Sequence, residues 1–145
     1  VLSKGTGHSI FYITAIDIWN DNPLVGQGIR AFRFKCAEKH HLPNRTCGNH
    51  PHNFHLEILI NVGLFGLLLI VCAFILMILN GRNFFQIYKK KITTKDFFYC
   101  FVLSLIIEFF IFKSTGSFFS TYNATYIFLL SGLIGGFGRK IKDIP

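Results

Sequence analysis

The distribution of apolar and polar positions divides the chain into two halves. Through residue 56 the pattern is mixed and short-ranged. Residues 9–20 (SIFYITAIDIWN) place apolar side chains at a rough helical spacing. They predict a short amphipathic helix, rich enough in aromatics to lie at a lipid headgroup boundary. Asn22-Pro23 ends it, because a proline disfavours helix at the residue before it. Residues 29–35 predict a second short helix, and Gly26-Gln27-Gly28 between the two allows a tight turn. Beyond Glu57 the pattern becomes continuously apolar. No charge occurs over 58–81, and a helix of that length covers roughly 36 Å against a bilayer core of about 30 Å. Residues 97–112 carry only Glu108, and 114–138 carry no charge. These runs predict transmembrane helices at about 57–80, 97–113 and 121–138. The expected fold class is an all-α integral membrane protein. Residues 1–56 form an external segment with short helices, and 57–145 hold three spans and a basic tail.

Composition narrows this further. Of the 145 residues, 51% are hydrophobic and 15% charged, against roughly 25% charged in soluble domains. Such a chain is not disordered, and four cysteines are too few for a disulfide-dense secreted scaffold. A net charge of +8 would point to nucleic acid in a soluble protein, but the charges stand beside the spans. Arg82, Lys89, Lys90, Lys91 and Lys95 lie between the first two. Arg139, Lys140 and Lys142 follow the third, and the remaining connection holds only Lys113. The positive-inside rule puts the basic loop and tail in the cytoplasm and residues 1–56 outside, in the periplasm of a Gram-negative host. Nucleic acid is not an expected partner; the lipid bilayer is. Val1 to Thr14 has no signal-peptide pattern. The chain therefore reads as the C-terminal piece of a longer multi-span protein, with the missing spans as partners.

Candidate chemistry concentrates ahead of the first span. Arg30 and Arg33 stand three apart on the second predicted helix, and two guanidinium groups on one face suit a phosphate or diphosphate as readily as lipid headgroups. Cys36 and Cys47 bracket a polar loop. Outside the cytoplasm they favour a disulfide. The rival is a metal site with His40, His41, His50 or His52, whose spacing fits no standard zinc pattern. In the run from Gly48 to Glu57, Asn49 is the expected N-cap and Pro51 falls in the first turn. The helix would then begin near His50, with an anion-attracting N-terminus and three histidines able to move protons near neutral pH. Gly132 and Gly136 have the small-x-x-x-small spacing of a close helix contact. Nothing here calls for a cofactor or a metal.

The run from His52 resembles the family of O-antigen ligases and O-antigen polymerases. Its hallmark is His, then Asn, Ser or Gln, nine residues, Gly, two residues, and Gly, Thr or Tyr. Here His52-Asn53 is followed by nine residues, Gly63, two more, and Gly66. Upstream, residues 22–28 (NPLVGQG) with Phe32-Arg33 resemble the family's Pro-x-x-Gly-x-Gly-to-Phe segment. Where the family often carries Gly-Arg ahead of the amphipathic helix, this chain has Gly7-His8.

The resemblance implies a metal-independent, inverting transfer of a glycan from an undecaprenyl diphosphate carrier to a hydroxyl on a glycan, lipid or protein. The site would lie in the inner membrane of a bacterial cell envelope, in polysaccharide or lipopolysaccharide biosynthesis. His52 is the implied catalytic histidine. Arg33 and Arg30 are implied diphosphate contacts, with His50, Asn53 and His8 in the substrate-binding set. Gly63 and Gly66 would let a neighbouring span pack closely. This piece alone would be inactive. The alternative is a non-catalytic membrane remnant or binding module whose outer loop contacts lipid or a partner.

Overall fold

A computed structural model describes residues 7–39, 43–87 and 92–139. The described residues are helical, with no strand: α1 (Gly7–Asn20), α2 (Ala31–Lys39), α3 (Phe54–Ile87), α4 (Ile92–Glu108) and α5 (Thr121–Arg139). The chain divides into two compact units. The first comprises the described parts of 1–69 together with Ile111–Ser120, and the second the described parts of 70–110 and 121–145.

In the first unit, α1 and α2 close over the first turns of α3. Ala15 and Ile18 of α1, Ala31, Phe32 and Cys36 of α2 and Ile60 of α3 form the buried core, with Phe11, Trp19, Cys47 and Leu56 packed around it. Cys36 and Cys47 are joined, with Cα atoms 5.2 Å apart, inside the range a disulfide requires. The expected disulfide is therefore present, and among the described residues no group of His, Cys, Asp or Glu is arranged to hold a metal. His40 and His41 lie outside the described residues. Arg45 pairs with Asp17, and the Thr46 amide donates to Thr14 Oγ1 at 3.1 Å. Together these ties bring the segment after α2 back along α1.

The start of α3 departs from expectation. The helix begins at Phe54 rather than near His50, and its N-cap is Asn53 rather than Asn49. Asn53 Oδ1 accepts the Leu56 amide at 3.1 Å, and its carbonyl accepts that of Glu57 at 3.0 Å. A capping side chain reaches the third helical residue, so the asparagine nearest the apolar run prevails. Pro51 is buried ahead of the helix. α2 likewise begins at Ala31, so Arg30 is not helical. Its φ is +62°, and it does not share a helix face with Arg33.

α3 is also broken. Gly63 has φ +68° and ψ −170°, a region essentially confined to glycine. The break removes two helical hydrogen bonds, from Leu64 to Ile60 and from Phe65 to Asn61. The connection between α1 and α2 supplies partners for all four freed groups. Gln27 N–H donates to Ile60 O at 2.7 Å and Gly28 N–H to Asn61 O at 3.0 Å. Leu64 N–H donates to Pro23 O at 2.9 Å and Phe65 N–H to Leu24 O at 3.1 Å. Buried backbone groups must find partners, and here a loop takes the place of a helical turn. Gly26 (φ +76°) fits against this point, where an added Cβ would come within 2.6 Å of Asn61, Val62 and Gly63 backbone atoms. A Cβ on Gly63 would overlap the Leu24 carbonyl. Gly63 thus admits a loop, not the neighbouring span anticipated from its size. A Cβ on Gly66 would strike Val62 of the same helix.

Phe54–Leu79 is long and apolar enough to cross a membrane, and only 6% of its most apolar window is buried. The core helix of a soluble protein would be mostly covered. Helices also occupy the other two apolar runs, α5 close to the expected bounds and α4 about five residues earlier than expected, at Ile92–Glu108 rather than 97–113. In the second unit α4 and α5 pack together, burying Phe98, Val102 and Leu105 on one and Ile127, Leu130 and Ile134 on the other. A Cβ on Gly132 or Gly136 meets no atom within 4 Å, so the close contact expected there is not made among the described residues. Lys89, Lys90, Lys91, Lys140 and Lys142, which carried the orientation argument, lie outside the described residues.

Candidate functional site

Three histidines from two segments meet at the start of α1. His52 stands 4.4 Å from His50 and 5.3 Å from His8, ring centre to ring centre, with the edge of Phe11 at 5.0 Å. α1 presents His8 and Phe11 from consecutive turns. The 43–53 segment brings His50 and His52 to them, with Gly48 lying against the Phe11 ring. His52 is held at φ +58°, an uncommon conformation for a residue with a side chain. It stands just outside α3, one residue before the cap. Its carbonyl accepts the Thr115 amide at 2.9 Å, so its backbone is fixed from both sides. Burial, and then the neighbouring His52, lower the His50 imidazole below the ordinary histidine value. Burial, and then His8, do the same for His52. Both rings therefore favour the neutral, proton-accepting form at neutral pH.

Around the cluster, the Ile111–Ser120 segment is fastened across the start of α3. Asn53 Nδ2 donates to Ile111 O at 2.7 Å. Glu57, buried, accepts from Ser117 Oγ at 2.6 Å and from the Phe118 amide at 2.5 Å. Phe118 meets Phe54 edge-on at 5.6 Å. Asn53, expected in the substrate-binding set, is buried with both ends of its amide used within the chain, so it is a structural tie. Glu57 went unrecognised as a fastener because its partners lie some sixty residues away, where no local spacing signals them.

The arginines take a different position. Arg30 and Arg33 are both exposed, and among the described residues neither guanidinium has a hydrogen bond or ion pair. Arg30 precedes α2, whose first amide, on Ala31, is capped by Asn61 Oδ1 of α3 at 3.1 Å. The loop docked at Gly63 thus carries the arginines, while α1 and the 43–53 segment carry the histidines. The two groups belong to the same compact unit, and the structure does not bring their side chains into contact. Chemically, the arrangement offers neutral imidazoles as proton acceptors and two uncommitted cations.

None of the curated proteins or solved structures gives a significant match. Residues 6–71 match the family model described as O-Antigen ligase, a stretch that takes in the histidine cluster, both arginines and the Gly26–Gly63 junction. Over those residues the chain is similar to the O-antigen ligase family.

Proposed function

We propose that this chain is the C-terminal part of a membrane glycosyltransferase that moves a glycan from an undecaprenyl diphosphate carrier to an acceptor hydroxyl, as an O-antigen or polysaccharide ligase or polymerase. The observation that carries the reading is His52, held in a strained conformation among His8, His50 and Phe11 in its neutral form. A sugar hydroxyl is a poor nucleophile and gains from a positioned base. The acceptor oxygen attacks the anomeric carbon and its proton passes to His52. The bond to the diphosphate breaks, and the carrier leaves with the electron pair. That leaving group is already a weak base, so it needs charge neutralisation more than a proton. Arg33 and Arg30 supply it, burial and then His8 keep the base neutral, and His50 and Phe11 pack against its ring. α3, α4 and α5 serve as three spans, with residues 7–56 on the periplasmic side of the inner membrane and the tail in the cytoplasm.

The test uses the full-length protein in liposomes with a polyprenyl-diphosphate-linked glycan and an acceptor glycan. The expected result is release of the carrier diphosphate together with a lengthened or newly attached glycan. Arg33→Ala should raise the donor KM several-fold, while Arg33→Lys recovers part of the loss. Unchanged donor KM in Arg33→Ala would remove it from the donor site.

A further inference from the structure

We propose that the outer surface of the membrane meets this protein at Gly63, not at the start of α3, and that the 22–34 segment forms a collar resting in the outer-leaflet lipid at that level. Burial along α3 changes at this glycine. From Phe54 to Gly63 the helix is largely covered by its own unit, with Phe54, Glu57, Ile58, Ile60 and Asn61 all buried. From Leu64 onward it is open, and Leu64, Phe65, Leu68 and Leu69 are exposed apolar side chains. A helix packed in protein becomes, among the described residues, a largely uncovered one, which is the change expected where a protein-covered segment enters lipid. The distance agrees: the 18 uncharged residues from Leu64 to Gly81 extend about 27 Å, close to a hydrocarbon core of about 30 Å, and Arg82 just beyond can snorkel to the far interface.

By those hydrogen bonds the loop runs from the level of Leu64 and Phe65, at Pro23 and Leu24, to that of Ile60 and Asn61, at Gln27 and Gly28. It and the helix that follows expose Leu24, Val25, Ile29 and Phe34, each half to two-thirds uncovered. This apolar surface continues directly into the exposed face of the span, so one lipid environment covers both. Irregular backbone at membrane depth is tolerated only where its polar groups are satisfied within the protein, and those of the Gly26–Gly63 junction are. Arg30 and Arg33 stand beside the apolar residues, as cations do when an interfacial segment sits about 5–10 Å into the headgroup boundary. The occupant of the collar surface is therefore phospholipid of the outer leaflet.

The inference rests on α3 crossing the bilayer, not on glycan transfer, and its test needs no donor. Trp19 is the chain's single tryptophan. In a Trp19→Phe background, the full chain is placed in phosphatidylethanolamine–phosphatidylglycerol liposomes containing lipids brominated near the top or near the middle of the acyl chain. Val25→Trp and Phe34→Trp should each be quenched at least twofold more by shallow than by deep bromines, and weakly by aqueous acrylamide. Glu38→Trp, exposed at a charged position one turn beyond Phe34 on α2, should show the reverse. Leu68→Trp should respond to the deep bromines and reports span insertion separately. If 25 and 34 behave like 38, or resist both kinds of quencher because another protein segment covers them, the collar is refuted. If Leu68→Trp is also unquenched by lipid, α3 does not insert, and the boundary and the membrane reading fail together.

Discussion

The proton-accepting role assigned to His52 depends on what touches it. Its ring and that of His50 both release their protons more readily when folded, through burial and a neighbouring imidazole. Transfer should keep its base to a pH below the ordinary histidine value of 6.5, so the acidic limb of kcat/KM against pH is expected below that point. His8→Ala removes one of the lowering neighbours and should move the limb upward. A limb above 6.5 in the parent protein would contradict the assignment. Stability follows the same linkage. The unfolded chain binds more protons below about pH 6.5, so the first unit should lose stability as the pH falls through that value and gain nothing further above it. Thermal unfolding in detergent between pH 5 and 8 checks the direction. Glu57 should matter through structure alone: Glu57→Ala leaves the buried Phe118 amide without its acceptor, an expected cost of about 1–3 kcal/mol.

Among the elements, the broken helix carries the sharpest expectations. Gly63→Ala meets both a backbone conformation closed to side chains and the Leu24 carbonyl, and Gly26→Ala meets the α3 backbone. Each should lower stability by more than the 1–3 kcal/mol of backbone strain alone. Gly28→Ala, at φ +93° but with open space around it, should cost only the strain. Equal losses at Gly26 and Gly28 in a denaturation series would show that the docking contact is unimportant. Removing the Cys36–Cys47 link should cost roughly 3 kcal/mol by loop entropy, measured as a lower unfolding temperature under reduction.

Much of this was legible beforehand. The apolar runs located α3, α4 and α5, and Asn22-Pro23 located the end of α1. The disulfide followed from two cysteines in a polar external loop. The hidden features were those made by distant partners. The Gly63 break reads as uninterrupted helix because the compensating hydrogen bonds come from residues 33 to 41 positions earlier. Likewise, Asn49 and Asn53 are equally good caps on paper. The choice falls to Asn53 because its amide also binds Ile111, a contact across 58 residues. Gly63 and Gly66 were expected to let a neighbouring span pack closely, and at Gly63 the docked loop takes that place.

At the scale of the whole molecule, one compact unit carries both groups that the proposed transfer uses. The histidines sit where α1 and the 43–53 segment meet, and the arginines sit on the loop anchored in α3. Positioning is what such an arrangement contributes, since reacting groups held in place remove much of the entropic barrier. The topology proposed for the three spans sets His52 opposite Lys90. Cysteine-accessibility labelling should place 52 outside and 90 inside, and both on one side would reject it. The most direct measurement is the transfer rate of the full-length protein with His52→Ala, beside His50→Ala and His55→Ala, at equal expression and membrane insertion. The account predicts a loss of about 10²–10⁴ for His52→Ala and smaller losses for the other two. Near-normal transfer by His52→Ala, with the loss falling instead on His50→Ala, would contradict it.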